Sequence, residues 1–378
     1  MNTLIQKLLS YQLLFWVYFL VPQLFFLPSY VMGDYNNYKI FSSSFLLLIQ
    51  HQNLYIPHPE YYCDLYRYTP TFAVGMFPFA YLPESIGLLI WIDLNTLILY
   101  YAIYKIFYHD PRVGTRILWF ILPELITTIQ NVQSNGLVNG LFLLSFYYAI
   151  LNPSPAKSAF FSLLNLFIKI YGFFSFAFVI FSKNIKNHLF YVFIFFLILF
   201  LSPCLFISYP ELINLYKHEF SSIFSYSAGL SLMAFLNKFH SSSLSYLAIE
   251  IIGLVTIGIL IFILYVFRIK DTPNMLHLLA LCLMFLVLFN PMAESPTFVF
   301  GVTGAAFYIF NFTKQPVQLI LAIMVLMFTS LAPSDIYPAF IRKQIFEPYK
   351  IKLIPVLFVY LHAYTMLFIS AIKTCKTK

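Results

Sequence analysis

Apolar runs close to 20 residues long recur along this chain, and about 20 helical residues cross the ~30 Å hydrocarbon core of a bilayer. The first run, at 11–30, is longer than the apolar part of a signal peptide, and no small-residue cleavage site follows it. Because 61% of the 378 residues are hydrophobic and 10% are charged, a soluble fold would expose a large apolar surface. The sequence therefore predicts an all-α polytopic membrane protein with a single integral domain over residues 1–378.

Lysine and arginine are sorted by loop, and cytoplasmic loops of membrane proteins are enriched in both. Basic residues flank the first and last apolar runs: Lys7, Lys373, Lys376 and Lys378. With both termini in the cytoplasm, the pattern predicts roughly twelve crossings and extracytoplasmic loops at 31–86, 209–246 and 333–352. The last loop runs against the rule unless its basic residues serve an anionic lipid: Arg342, Lys343, Lys350 and Lys352. The net charge of +8 thus reflects the basic residues that determine how the chain is oriented in the membrane, and no nucleic-acid partner is expected.

The first extracytoplasmic loop, 31–86, is predicted to hold interfacial or re-entrant helices. Phe41, Phe45, Leu46 and Leu48 form an amphipathic stripe suited to lying in the membrane interface, where it anchors the loop or shapes a groove for a lipid substrate. The segment 72–82 is interrupted by prolines and is too short for a clear crossing, so we interpret it as re-entrant or interfacial.

Polar residues collect on the predicted outer face. The set comprises Asp34, Asp64, Arg67, Gln133, Asn135, Lys169 and Glu294, with His58 and His218 in nearby loops. Ionisable groups at membrane depth are costly and tend to mark substrate pathways. Asp34, where the chain leaves the bilayer after the first run, is the predicted chemical centre; its alternative role is that of an ordinary helix-terminal carboxylate. Lys169 and Glu294 could instead pair with each other or with loop carboxylates, and loop histidines are commonly just solvated.

Three acidic residues lie inside predicted spans: Asp93, Glu124 and Glu250. They could form a proton relay, but a structural hydrogen bond to a neighbouring helix is the commoner role, with Asn95 and Thr96 beside Asp93 as an example.

The sequence offers no sign of metal or phosphate-loop chemistry. The cysteines lie far apart and lack metal-ligand spacing: Cys63, Cys204, Cys282 and Cys375. Phosphate-binding glycine loops, an HExxH helix and a nucleophile elbow are absent from the sequence. An enzyme with this chain would therefore use carboxylate and cation chemistry at a lipid–water boundary.

A series of short motifs resembles glycosyltransferase family 87, of the glycosyltransferase C superfamily. In chain order they are Gly33-Asp34-Tyr35, Asn53-Leu54-Tyr55, Tyr68-Thr69-Pro70, Pro78-Phe79-Ala80-Tyr81-Leu82-Pro83, Trp91 with Asn95, Gln133-Ser134-Asn135-Gly136 with Asn139, Lys169-Ile170-Tyr171, and Asn290-Pro291 before Glu294. The family includes polyprenyl-phosphate-mannose-dependent mannosyltransferases and related arabinofuranosyltransferases. The chain departs from the family at Ile170-Tyr171-Gly172, where a proline is usual near the lysine, and at Ala293 to Thr297, where many members carry histidines. These departures leave the sugar and the acceptor open.

The resemblance implies a glycosyltransferase C type helical bundle and an inverting, metal-independent reaction without a cofactor. Asp34 would be the general base, and the substrate contacts would come from Tyr38, Arg67, Tyr68, Gln133, Asn135, Lys169 and Glu294. Among these, Lys169 and Arg67 suit the departing lipid phosphate, and the amides of Gln133 and Asn135 suit sugar hydroxyls.

The leading hypothesis is a hexosyltransferase, such as a mannosyltransferase, in the cytoplasmic membrane. It would move a sugar from a polyprenyl-phosphate donor to a lipid-linked or glycan acceptor on the extracytoplasmic face. The alternatives are a transporter or flippase for lipid-linked saccharides and a scaffold subunit of an envelope assembly. A transporter predicts polar residues near the bilayer midplane and repeat symmetry, whereas an enzyme predicts them at one face.

Overall fold

The computed structural model describes residues 10–223, 229–239 and 246–377, and all secondary structure in these ranges is helical. Lys7, Lys378 and the side chains of Cys375 and Lys376 lie outside the described part. The α-helices are α1 (Tyr11–Met32), α2 (Asn36–Ile49), α3 (Pro70–Gly75), α4 (Phe77–Tyr81), α5 (Glu84–Ile106), α6 (Pro111–Gln130), α7 (Asn135–Phe146), α8 (Pro155–Ile168), α9 (Ile185–Leu201), α10 (Tyr209–Ile223), α11 (Leu232–Phe239), α12 (Tyr246–Val266), α13 (Thr272–Leu288), α14 (Phe298–Phe312), α15 (Val317–Val325), α16 (Ala339–Ile341) and α17 (Leu353–Thr377). Tighter 3₁₀ segments lie at Ile170–Phe181, Ser202–Leu205 and Ser295–Thr297, and wider π segments at Tyr147–Leu151, Leu326–Ser330 and Arg342–Phe346.

Within the described ranges, five helices are long and apolar enough to cross a membrane: Tyr11–Met32, Glu84–Ile106, Ile185–Leu205, Leu247–Val266 and Leu353–Thr374. Shorter apolar helices of 10–17 residues lie at Asn135–Leu151, Pro155–Ile168, Ile170–Phe181, Thr272–Leu288 and Val317–Ser330. The chain is thus a helical membrane protein. The count of twelve crossings and the glycosyltransferase C arrangement stay predictions, because the shorter helices fall below the length of a full span.

Contacts along the chain define two compact units. Unit 1 comprises Met1–Leu14, Phe107–Thr127 and Tyr226–Lys378, and unit 2 comprises Phe15–Ile106 and Thr128–Ser225. The single integral domain over residues 1–378 stays a prediction. All but one of the sequence-predicted site residues fall in unit 2, and Glu294 falls in unit 1.

The first loop of unit 2 corrects one expectation. The stripe predicted to lie in the membrane interface is covered by protein: Phe41 and Phe45 are 0% and 1% exposed. The Phe41 ring lies 4.9 Å from that of Tyr68 and 5.3 Å from that of Trp91, and the Phe45 ring lies 5.2 Å from that of Phe77. The short helices α3 and α4 supply this cover, so the apolar face of α2 belongs to the core. With six and five residues, α3 and α4 are too short to cross a bilayer.

In unit 1, Lys352 is buried against an acidic partner. Its Nζ donates to Glu124 Oε1 at 2.7 Å and to Ser295 Oγ at 2.8 Å, and the lysine and glutamate are 6% and 0% exposed. Nearby in sequence, Arg342 pairs with Asp335 at 2.6 Å. Two of the four basic residues that run against the positive-inside rule are therefore neutralised by carboxylates.

The predicted structural role of the in-span acids is confirmed for two of the three. Glu124 takes Lys352 as its partner. Asp93 Oδ1 accepts a hydrogen bond from Gln23 Nε2 of α1 at 2.8 Å. Asn95 is not the partner of Asp93. Instead, the Asn95 Oδ1 accepts a hydrogen bond from the Leu137 backbone N–H at 2.9 Å and so connects α5 to α7.

Candidate functional site

The centre of the candidate site is the turn at residues 131–134, which leads into α7. Its Val132 has a φ of 50°, a left-handed conformation that is strained for a β-branched residue. Two bonds hold the turn in place: Trp91 Nε1 donates to the Val132 carbonyl at 3.3 Å, and Asn37 Nδ2 donates to the Asn131 carbonyl at 2.7 Å. Strain of this kind costs about 1–3 kcal/mol and is concentrated at functional sites, which marks this turn as a candidate site.

Asn135, at the first position of α7, hydrogen-bonds to three other side chains. Its Oδ1 accepts from Lys169 Nζ at 2.7 Å and from the Tyr171 hydroxyl at 3.0 Å. Its Nδ2 donates to Gln133 Oε1 at 2.8 Å. Asn135 is 0% exposed, whereas Gln133 and Lys169 are partly exposed. The buried Asn135 amide therefore positions the Lys169 ammonium and the Gln133 amide at the protein surface.

Lys169 lies where α8 ends, in an extended backbone conformation. Its ammonium is 5.5 Å from the centroid of the Tyr68 ring and 5.6 Å from that of the Tyr171 ring. Contact of an ammonium with aromatic faces stabilises the charged form, and the C-terminal end of a helix also favours a cation. We call Tyr68, Gln133, Asn135, Lys169 and Tyr171 the lysine network.

Tyr68 reaches the lysine network because Thr69 connects α3 to α8. The Thr69 hydroxyl donates to the carbonyl of Phe167, two residues before Lys169, and accepts from the Phe72 N–H at 3.0 Å to cap α3. Pro70 at the first position of α3 fixes the start of that helix. The Tyr68 hydroxyl lies 3.3 Å from Ser134 Oγ, which closes the connection to the turn before α7.

Asp34 is linked to this arrangement through its own segment, and among the described residues no direct contact joins Asp34 to the lysine network. Asp34 is exposed, its N–H donates to the Ser29 carbonyl at 2.8 Å, and it lies two residues before the start of α2. Asn37, three residues later, carries the 2.7 Å bond to Asn131. The segment that holds Asp34 is thus tied to the turn that holds Gln133.

Three other predicted site residues lie outside the lysine network. Arg67 is exposed beside Tyr68. Tyr38 is 1% exposed, and its ring lies against Phe79 at 6.4 Å. Glu294, in unit 1, is exposed; its N–H donates to Thr297 Oγ1 at 3.2 Å.

Metal binding finds no support in the described residues, where no group of three or more His, Cys, Asp or Glu side chains could hold an ion. Cys63, Cys204 and Cys282 are free thiols. The prediction of a metal-independent reaction comes from the family resemblance and not from this observation.

The site residues predicted from the sequence do not include three residues that matter here: Asn37, Ser134 and Tyr171. Tyr171 could have been found from the sequence, because it lies two residues after Lys169. An aromatic ring near a lysine in an apolar chain suggests a cation–π contact. The other two act through single hydrogen bonds across the fold, which a sequence pattern does not reveal.

Comparison with protein families identifies a match. The family model of glycosyltransferase family 87 matches residues 66–291, more than half of the chain. The matched range includes Arg67 and the whole lysine network, while Asp34 and Tyr38 precede it and Glu294 follows it. No curated protein matches the chain.

Proposed function

The chain belongs to glycosyltransferase family 87, and on that premise we propose that it transfers a hexose, such as mannose, from a polyprenyl-phosphate donor. The acceptor is a lipid-linked or other glycan on the extracytoplasmic face of the cell membrane. A membrane glycosyltransferase is what the family and the apolar helices support together. The donor, the acceptor, the membrane face and the residue roles are proposals.

The observation that carries this proposal is the lysine network. A cation held by an amide oxygen at 2.7 Å and flanked by two aromatic rings is pre-positioned for an anionic ligand group. The donor's phosphate is such a group, and its lipid tail suits a protein whose surface carries many exposed apolar side chains. Lys169 binds the phosphate in this scheme, and the buried Asn135 acts as a positioning residue.

The proposed step is a single displacement at the anomeric carbon. The Asp34 carboxylate takes the proton of an acceptor hydroxyl, whose oxygen forms the new bond to that carbon. The bond from the anomeric carbon to the phosphate oxygen breaks on the opposite side, and polyprenyl phosphate leaves with the electron pair. Lys169 stabilises the charge that develops on the leaving phosphate, and the anomeric configuration is inverted.

The roles proposed for the remaining predicted site residues rest on the exposure of their side chains. Arg67, which precedes Tyr68 in the chain, is exposed, and Gln133 of the lysine network is partly exposed, so Arg67 suits a phosphate oxygen and the Gln133 amide suits a sugar hydroxyl. Asp34 is accessible on a segment tied to the same turn through Asn37.

The transporter or flippase alternative draws less support. It needs polar groups that serve a substrate within the membrane. Two of the three predicted in-span acids, Asp93 and Glu124, are instead engaged by Gln23 and Lys352 in contacts that hold helices together.

The test is sugar transfer by the purified protein in nanodiscs, with polyprenyl-phosphate sugars and a panel of lipid-linked acceptors, read by mass spectrometry. Asp34→Asn keeps the size of the side chain but removes its basicity. We expect the variant to bind donor normally and to transfer sugar about 10²–10⁴-fold more slowly, the usual contribution of a general base.

Asp64→Asn is the matched control, because Asp64 is also exposed in the first loop and accepts only a local bond from the Leu65 N–H at 2.7 Å. It should transfer sugar at the wild-type rate. Near-normal transfer by Asp34→Asn together with a loss in Asp64→Asn would move the base to Asp64. Loss of donor binding in Asp34→Asn would favour the transporter.

A further inference from the structure

Unit 2 contains a cavity of about 340 Å³ beside α2, within the ~300–1,000 Å³ typical of ligand pockets. It lies between α2, the loop near residue 60 and the start of α5. The residues that give it chemical character are Tyr38, Lys39, Ser42, Glu60, Tyr61 and Glu84.

The lining of the cavity suits a hydroxyl-rich ligand. Carboxylates accept hydrogen bonds from hydroxyls, an ammonium donates to them, and aromatic rings pack against the apolar faces of a sugar. Tyr61 is 37% exposed and so offers such a face. Tyr38 is 1% exposed, and within the described part of the chain its hydroxyl has no hydrogen-bond partner.

The charge of the lining argues against phosphate as the ligand. Lys39 is outnumbered by the carboxylates of Glu60 and Glu84. A hydrogen bond within its own residue, assisted by His58, holds the pKa of Glu60 below its ordinary value, so that this carboxylate is ionised at neutral pH. An anionic group would meet net repulsion here, whereas the lysine network presents a cation.

The cavity also lies beside the segment that carries the proposed base. Tyr35 follows Asp34 directly, and its interaction with Glu84 of the cavity lining raises the pKa of the Tyr35 hydroxyl to about 12. Lys39 Nζ lies 4.8 Å from the centroid of the Tyr35 ring. Asn37 of the same segment is bonded to Asn131 before the lysine network. Residues 34–39 therefore connect the cavity on one side to the lysine network on the other.

We propose that this cavity is the acceptor subsite and that it takes a neutral saccharide, while the lysine network takes the donor phosphate. The proposal rests on the proposed function and names the class of its second substrate. In this arrangement the acceptor hydroxyl points from the cavity toward Asp34, and the cavity's negative charge excludes a second phosphate from the acceptor position.

Direct binding tests the cavity without relying on activity. The full-length protein in nanodiscs is titrated with methyl α-D-mannopyranoside and methyl α-D-glucopyranoside and followed by saturation-transfer NMR. Ser42→Trp fills the cavity, and Glu84→Gln removes one charge at a similar size. We expect wild type to bind at least one methyl hexoside and both variants to weaken that binding about tenfold, as for one hydrogen bond to a charged group.

Two controls locate the binding. Ser85→Trp adds the same bulk at an exposed neighbour of Glu84 outside the lining, and Lys169→Met changes the lysine network. Both should bind the hexoside as wild type does. The proposal is overturned if wild type binds neither hexoside, if Lys169→Met loses binding as Ser42→Trp does, or if inorganic phosphate displaces the hexoside. Should Ser42→Trp fail to fold, Glu84→Gln decides.

Transfer kinetics then separate the subsite from the function. With a lipid-linked acceptor that wild type uses, Ser42→Trp should raise the acceptor KM about tenfold and leave donor binding unchanged. An unchanged acceptor KM in an active enzyme overturns the acceptor assignment and leaves the transferase standing. Hexoside binding that follows the cavity in a protein that transfers nothing supports the saccharide site and overturns the transferase.

Discussion

Lys169 combines three contacts that bear on how strongly it can bind an anion. An amide oxygen holds its ammonium at 2.7 Å, and two tyrosine rings lie about equally far from it. A lysine side chain otherwise loses up to about 2 kcal/mol of rotamer entropy when it is ordered. Because the fold has already ordered this side chain, that cost does not fall on the binding of the donor.

We expect Lys169→Met to raise the donor KM at least about tenfold, since the variant keeps the length of the side chain but loses a hydrogen bond to a charged phosphate. Lys157→Met on the same helix is the control, because Lys157 also contacts a tyrosine ring, that of Tyr148 at 5.2 Å. Transfer kinetics at varied donor concentration measure both. Equal donor KM values for Lys169→Met and wild type would remove Lys169 from the phosphate site.

Glu219 on α10 is a buried acid that the sequence analysis passed over. It is 8% exposed, and burial raises its pKa to about 7. Burial raises the pKa of the Tyr216 hydroxyl, and Glu219 raises it further. The protonated acid is the form that this environment favours.

The folded protein should therefore lose stability as the pH rises. The folded-state pKa of Glu219 lies above the unfolded value, so its contribution is complete below about pH 4.5 and disappears as the pH passes about 7. The free energy of unfolding falls by about 3 kcal/mol at most across that window. Thermal unfolding in detergent at several pH values measures it, and Glu219→Gln should flatten the profile while the exposed Glu347→Gln should not. A wild-type profile retained in Glu219→Gln would contradict this account.

Among the elements, the 3₁₀ segment Ile170–Phe181 is the most unusual. Segments of this type rarely exceed four residues, and this one has twelve and follows Lys169 directly. Gly172 lies so close to α8 that a Cβ on it would be 2.4 Å from the Asn165 carbonyl carbon. The segment can pack against the end of α8 only because residue 172 has no side chain.

Gly172→Ala should force the start of this segment away from α8 and move Lys169 and Tyr171 with it. Overpacking of this kind costs about 1–3 kcal/mol. We expect a lower Tm and a higher donor KM. Gly258→Ala, which meets nothing within 4 Å, is the control and should change neither. A Gly172→Ala protein with normal donor KM would show that the segment does not position Lys169.

The sequence predicted which segments are helical better than it predicted what surrounds each helix. Periodicity indicated that 41–48 is amphipathic, and α2 is a helix there. Periodicity does not say whether lipid or protein covers the apolar face, and here α3 and α4 cover it. Likewise the polar residues before α7 were predicted to belong to a site, but the 3₁₀ geometry that brings Tyr171 to Asn135 depends on a close approach at Gly172 that spacing alone does not show.

For the whole molecule, the apolar content was enough to predict a membrane protein, because it determines whether the folded chain is stable in water or in a lipid bilayer. The basic residues of the last outer loop were the weakest part of the predicted topology. Counting charges by loop overlooks pairing across the fold, and Glu124 lies 228 residues from Lys352.

The buried pair gives a stability prediction. Lys352→Met leaves the Glu124 carboxylate buried without this ammonium, and breaking such a pair costs about 3–5 kcal/mol. Adding Glu124→Gln should restore much of the loss. Arg342→Met, which breaks the exposed pair with Asp335, should cost about 1 kcal/mol or less. Thermal unfolding in detergent ranks the variants. A Lys352→Met protein as stable as wild type would show that the pair contributes nothing.

The same pair has a consequence for the order of events on the ribosome. At a synthesis rate of about 5–20 residues per second, Lys352 is synthesised roughly 10–50 s after Glu124. During that interval the nascent chain carries a carboxylate whose final partner has not yet been made. The pair thus forms only after the last loop has been synthesised, and a chain truncated before residue 352 would contain Glu124 without this ammonium.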